Sequence, residues 1–131
     1  MIKVGTKMVW GHIVTHHTLK AFAEVSGDIN PVHMSETYAA TTRFGKRIAH
    51  GMLSGAWISA ALAEALGEGA IYLRQTLEFL NPIFIGDQVD VEIEVREVVG
   101  RKVTLDTRVL DRTTSKIAVI GTAILYSPMQ E

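Results

Sequence analysis

The sequence predicts an α+β domain in which a curved antiparallel sheet wraps around one central helix. Three observations carry this expectation. Residues Gly51 to Leu66 (GMLSGAWISAALAEAL) are apolar nearly all round, and a helix without a polar face is normally a buried one. From Ile71 onward the chain reads as long alternating strands joined by tight turns. Helical patterns come early and strands late, which is the order of an α+β fold.

Taken in order, Lys7 to Thr15 alternates loosely through Met8, Trp10 and Ile13 and reads as a first strand. Thr18 is the expected N-cap of a helix in which Leu19, Phe22 and Ala23 recur at helical spacing and which Ser26-Gly27-Asp28 ends. A loop follows, and Ser35 caps a short helix through Tyr38, Ala39 and Ala40. Thr41 to Ile48 reads as an exposed loop whose positive charges are Arg43, Lys46 and Arg47. The central helix from Gly51 to Leu66 is about 24 Å long at 1.5 Å per residue.

The strands come next. Ile71, Leu73, Leu77 and Phe79 form an inward row, interrupted by Gln75, a polar group that needs a partner. Asn81-Pro82 breaks the run and Gly86-Asp87 turns it. Val89, Val91, Ile93 and Val95 alternate with Asp90, Glu92, Glu94 and Arg96, a half-buried strand. Val103, Leu105, Thr107 and Val109 form another, and Asp111 to Ser115 the turn after it. Ile117 to Tyr126 is apolar on both faces and is expected to be covered on both. One helix does not cover a curved five-stranded sheet, and edge strands need protection, so a homodimer is expected.

Composition bounds the function. The chain has 131 residues, 47% of them hydrophobic, enough for one domain (residues 1–131) with a real core. A net charge of −1 gives no basic surplus for nucleic acid or an anionic membrane. No cysteine is present, which removes disulfides, thiolate metal sites and a cysteine nucleophile, and is compatible with the cytoplasm, the expected location. Residues 1–20 lack the apolar run of a signal peptide, and the central segment is too short and too rich in Gly and Ser for a membrane span. Adjacent His16 and His17 point in different directions, and neither they nor His12 and His50 have an acidic partner at ligand spacing, so no metal is expected.

The chemistry concentrates in Phe22 to Ala39 (FAEVSGDINPVHMSETYA). Asp28 and His33 stand five residues apart, a spacing that one continuous helix splits across faces. Pro31 forbids that helix, because it lacks an N–H and biases Asn30 away from the α region. The stiff loop that results can hold a carboxylate beside an imidazole, the pair that water activation at neutral pH requires. Alone, Asp28 reads as a turn residue and His33 as a satisfied loop histidine; together they point to catalysis.

Phe22, Val25, Ser26-Gly27-Asp28, Asn30-Pro31-Val32-His33 and Ala39 together resemble the signature of the MaoC-like dehydratases, and within them the pattern is most similar to the (R)-specific enoyl-CoA hydratases. Ala49-His50-Gly51-Met52-Leu53 and Ile71 to Asp87 extend the resemblance over most of the chain. It implies a hot-dog fold, a homodimer with active sites near the subunit boundary, and an acyl thioester of coenzyme A or acyl carrier protein as substrate. It also implies Asp28 and His33 as the catalytic dyad, working without a metal or redox cofactor.

On this reading His33 deprotonates a water, and Asp28 orients both and shuttles the proton to the α-carbon; the reverse division stays open, as for any coupled pair. Asn30 holds the loop or the water. The N–H of Gly51, at the positive end of the central helix, serves as an oxyanion-type donor. Ser59, just over two turns further on, corresponds to a serine that the family places near the dyad. Arg43, Lys46 and Arg47 are candidates for the coenzyme A phosphates, against the plainer reading of a solvated loop. The leading function is hydration of trans-2-enoyl-CoA to the (R)-3-hydroxyacyl-CoA. The alternatives are 3-hydroxyacyl-acyl-carrier-protein dehydration, hot-dog thioesterase activity, against which stands Glu64 as the helix's sole ionisable residue, and a non-catalytic acyl-binding module.

Overall fold

The computed structural model describes all of residues 1–131. In chain order the elements are β1 (Lys7–Ile13), α1 (His16–Ser26), α2 (Pro31–Met34), α3 (Glu36–Ala40), α4 (Gly51–Leu66), β2 (Ile71–Gln75), β3 (Glu78–Phe79), β4 (Gln88–Val99), β5 (Lys102–Asp111) and β6 (Lys116–Tyr126). The strands form one antiparallel sheet in the order β1-β4-β5-β6-β2, and the two-residue β3 also pairs with β6. With α4 packed on this sheet, the arrangement is the hot-dog fold.

Alternation decides the sheet. Along β4 the side chains of Val89, Val91, Ile93 and Val95 are buried while Asp90, Glu92 and Glu94 turn outward. Val103, Leu105, Thr107 and Val109 repeat the pattern on β5. These rows meet Leu53, Trp57, Ile58, Ala61, Leu62 and Leu66 of α4 in one core of 21 buried residues. The outer face carries the ion pairs Arg96–Asp106 and Arg108–Glu92, exposed enough to add little stability.

Four expectations need correction. The α1 helix starts a turn earlier than Thr18 suggests: the cap is Thr15, whose Oγ1 accepts the N–H of Thr18 at 3.1 Å. The row Ile71, Leu73, Leu77, Phe79 is not a single inward face. The chain shifts register within β2 and breaks between β2 and β3, so Ile71, Leu73 and Phe79 are each more than half exposed and only Leu77 reaches the core. At the break the Thr76 carbonyl crosses directly over Gly121, where a Cβ would stand 1.8 Å from its oxygen; only glycine fits. The apolar α4 is buried on one side only: Met52, Ala56, Ala60 and Ala63 form an exposed stripe. Lastly, Arg47 is buried rather than solvated.

Gln75, expected to need a partner, has three: its Nε2–H donates to Thr107 Oγ1 and Thr76 O, and its Oε1 accepts from Tyr72. No helix is long and apolar enough to cross a membrane.

Candidate active site

The segment between α1 and α4 is built from side-chain caps. Gly27 ends α1 in the left-handed conformation at φ 80°, where its N–H reaches Ala23 O, so the chain turns sharply into Asp28. Asp28 Oδ1 accepts the N–H of Asn30 at 3.1 Å. Asn30 in turn is the N-cap of α2, its Oδ1 accepting from Val32 N–H at 3.2 Å, with Pro31 at the first helical position. Pro31 therefore does more than break a helix: it starts the single turn that carries His33. Ser35 caps α3 through Tyr38 N–H, as its position predicts.

His33 is buried, and its Nδ1–H donates to Ile48 O at 2.8 Å. A carbonyl only accepts, so the proton sits on Nδ1 and the lone pair on Nε2. Burial lowers the pKa of His33; the Ile48 carbonyl and Asp28 push it up, and His50 pushes it down, with burial prevailing. The ring is thus a neutral base at pH 7.

His50, which the sequence offers only within the Ala49-His50-Gly51 block, stacks directly on His33. It is the N-cap of α4 and 2% exposed, and its Nε2–H donates to Asp28 O at 2.9 Å. Its ring stacks on His33 with centroids 4.1 Å apart, and its Nδ1 is buried without a partner. Phe22 packs against the other side at 5.0 Å. Asp28, His33 and His50 each offer a side-chain ligand atom within 4.8 Å of the others. Two hydrogen bonds of about 2.8 Å meeting at a tetrahedral angle span about 4.5 Å, a length inside that 4.8 Å limit.

A cavity of about 300 Å3 opens on this cluster, lined by His33, His50, Gly51, Ser54, Phe79 and Arg43 among others. Gly51 and Met52, the first residues of α4, have no acceptor within the chain for their N–H groups. Gly51 has a packing reason as well: a Cβ there would lie 3.1 Å from the Phe79 ring. The structure thus places His33 and Gly51 on one opening, with Asp28 next to His33 but outside the cavity lining. It does not bring Ser59 there. Ser59 lines a neighbouring groove of about 570 Å3 with Phe22, Met52, Tyr72 and Leu77, and the serine that lines the cavity with His33 is Ser54. Arg43 lies at the cavity and Lys46 over the Phe84 ring, both exposed, whereas Arg47 points inward.

Neither the stacking of His50 on His33 nor the inward placement of Arg47, expected as a phosphate contact on a solvated loop, was legible in the sequence. The Ala49-His50-Gly51 block was a signal for His50 itself; nothing adjacent to Arg47 distinguishes it from Arg43.

Known proteins share this architecture. The chain is 37% identical over 131 residues to a 3-hydroxybutyryl-CoA dehydratase of Methylorubrum extorquens, covering 99% of this chain and 83% of that one. It is 39% identical over 128 residues to an (R)-specific enoyl-CoA hydratase of Rhodospirillum rubrum, covering 97% and 89%. An unliganded R-hydratase from Pseudomonas aeruginosa superposes with a TM-score of 0.93 at 47% identity, covering 99% of this chain and 84% of the other. The MaoC like domain pattern matches residues 6–118, a stretch that includes the capped loop, His50 and all of α4. The chain belongs to the MaoC-like domain family.

Proposed function

We propose that this protein is a hydro-lyase that adds water to a trans-2-enoyl-CoA to give the (R)-3-hydroxyacyl-CoA, with Asp28 and His33 as the catalytic residues. The observation that carries the reading is the pairing itself. A neutral imidazole whose Nε2 is left free and a carboxylate stand within 4.8 Å by their ligand atoms, and the imidazole opens on a cavity that the unpaired amide of Gly51 also lines.

The step balances as follows. The water oxygen bonds to the β-carbon as one of its protons passes to His33 Nε2. The electron pair of the Cα–Cβ double bond moves toward the thioester carbonyl, whose developing charge meets the Gly51 N–H and the positive end of α4. The dyad returns one proton to the α-carbon by way of Asp28, and enzyme and proton count are restored. Asn30 acts through the loop, because its Oδ1 is committed to capping α2. Ser59 serves the acyl chain in its own groove rather than the reacting centre.

Arg43, exposed at the cavity, suits a phosphate of the substrate's thioester carrier. A second copy of the chain is the proposed partner: the exposed stripe of α4 and the exposed Ile71 and Leu73 of the edge strand β2 are apolar surfaces on one side of the molecule, flanking the Ser59 groove. The proposed compartment is the cytoplasm. To test the activity, enoyl absorbance and free thiol are followed together on a series of enoyl-CoAs. Loss of absorbance without thiol release is expected; thiol appearing at the same rate would make the protein a thioesterase.

A further inference from the structure

We propose that buried Arg47 is a positioning residue for the reaction: it clamps the main chain of His33, with His16 as the second point of the clamp, and so sets the aim of the imidazole. The proposal rests on the reading of His33 as the proton carrier.

Arg47 is 3% exposed, and no carboxylate lies within ion-pair distance of it. A guanidinium stays charged in a protein, and burying that charge without an anion is costly. The acceptors it does find are specific. Its Nε–H donates to His33 O at 2.6 Å, and its Nη1–H donates to His16 Nδ1 at 3.0 Å; Nη2 is buried with no partner. His33 O belongs to a four-residue helix, whose last carbonyls have no partner within the helix. So short a helix does not hold itself together, and its orientation must come from outside ties.

Those ties come from consecutive residues. Arg47 holds His33 by its carbonyl and Ile48 holds it by its ring. The clamp is itself anchored. Ile48 N–H donates to Val32 O at 3.3 Å, Ile85 N–H to Arg47 O at 3.0 Å and Ala49 N–H to Ile83 O at 2.7 Å. Asp87 closes the supporting turn by accepting Phe84 N–H at 3.0 Å. His16 extends the tie to the first turn of α1, and it accepts from Arg47 only while Nδ1 is unprotonated. The groups around His33 are therefore Asp28 from the loop, His50 from α4, and Arg47 with His16 behind its backbone. Reacting groups displaced by about 1 Å lose on the order of 100-fold in rate.

The test is Arg47→Met, which keeps apolar bulk and removes every donor, with Arg47→Lys, His16→Leu and His16→Gln beside it. For each variant kcat, KM, the pH profile of kcat/KM and the NMR titration of His33 are measured on folded protein. Arg47→Met is expected to lower kcat about 10–100-fold with KM within about 3-fold. It is also expected to raise the His33 midpoint and the acid limb of the profile, as a loosened ring meets water. Arg47→Lys recovers part of the loss. His16→Leu gives a smaller effect of the same kind, and His16→Gln, which keeps an acceptor, recovers most of it. Unchanged kcat and His33 titration in Arg47→Met overturn the proposal. Should that variant not fold, the same unchanged values in both Arg47→Lys and His16→Leu overturn it. The NMR titration reads the clamp independently of turnover, whereas His33→Ala retaining full activity would sink the underlying mechanism instead.

Discussion

The β4–β5–β6 sheet and the segment from Gly27 to His50 hold their side chains by different means. In the sheet, backbone ladders do the holding: β4 and β5 pair residue by residue from Val89↔Asp111 to Val99↔Lys102, and the side chains need only fill space. Between Gly27 and His50 side chains share the work with short backbone turns: Asp28, Asn30, His33, Ser35, Arg47 and His50 each bond a main-chain group. A ladder uses up its polar groups in pairs. A segment tied by side chains leaves selected atoms uncommitted, such as His33 Nε2 and the amide of Gly51, and these are the atoms available to a substrate. The difference predicts that substitutions in the sheet act on stability and substitutions in the segment act on rate.

The largest effect is expected at the dyad. Asp28→Asn keeps an oxygen to accept Asn30 N–H, so the turn survives while the basicity goes; His33→Ala removes the other proton carrier. Each is expected to cost about 10²–10⁴ in kcat/KM, and the double variant little more, since both serve one water. Because burial lowers the His33 pKa, the wild-type acid limb lies below 6.5: activity is full with the ring neutral and falls as pH drops through the lowered value. Turnover of a short and a medium enoyl-CoA, with melting curves alongside, checks this. Near-wild-type rates for Asp28→Asn would reduce the motif to a structural loop.

Leu105→Ala is the counterpart in the sheet. Leu105 is fully buried in the core, and the cavity left behind is expected to cost about 2–5 kcal/mol in denaturant unfolding, with kcat per folded molecule unchanged. A fall in kcat as large as that at the dyad would erase the distinction between the two regions.

The smallest effect tests the one place where the sheet holds a polar liability. Asp87 and Asp111 are both buried, and Asp111 Oδ2 has no N–H or O–H donor unless the pair shares a proton. Burial, then the hydrogen bond with Asp87, push the Asp111 pKa up to about 6, a titration that belongs to the pair. The folded state therefore binds this proton more tightly than the unfolded chain, whose carboxyls titrate near 3.9. Stability contributed by the protonated pair is present below about pH 4 and is lost as pH rises through about 6. Asp111→Asn supplies a permanent N–H donor to Asp87 and is expected to raise Tm at pH 8 by roughly 3–6 °C while giving no gain at pH 4. Equal shifts at both values would show that the pair does not share a proton.

What the sequence determined by itself was everything encoded over three or four residues, or over a strict period. The alternation of Val89 to Val95, the length of α4, the Ser35 cap and the juxtaposition forced by Pro31 were all legible, because each depends on near neighbours. Tertiary structure decided the rest. Arg47 and His33 are 14 residues apart, His50 and Asp28 are 22 apart, and His16 and Arg47 are 31 apart, so no local pattern distinguishes buried Arg47 from exposed Arg43. The same holds for Ser59, whose place on α4 was readable but whose groove depends on how β2 passes the helix. The break at Thr76 was hidden for a related reason: it depends on Gly121, 45 residues along the chain, where the absence of a side chain lets the Thr76 carbonyl cross. Local chemistry chose the elements and the candidate groups of the site; the burial of one unpaired cation and the crossing of one carbonyl became visible only when distant parts of the chain were brought into contact.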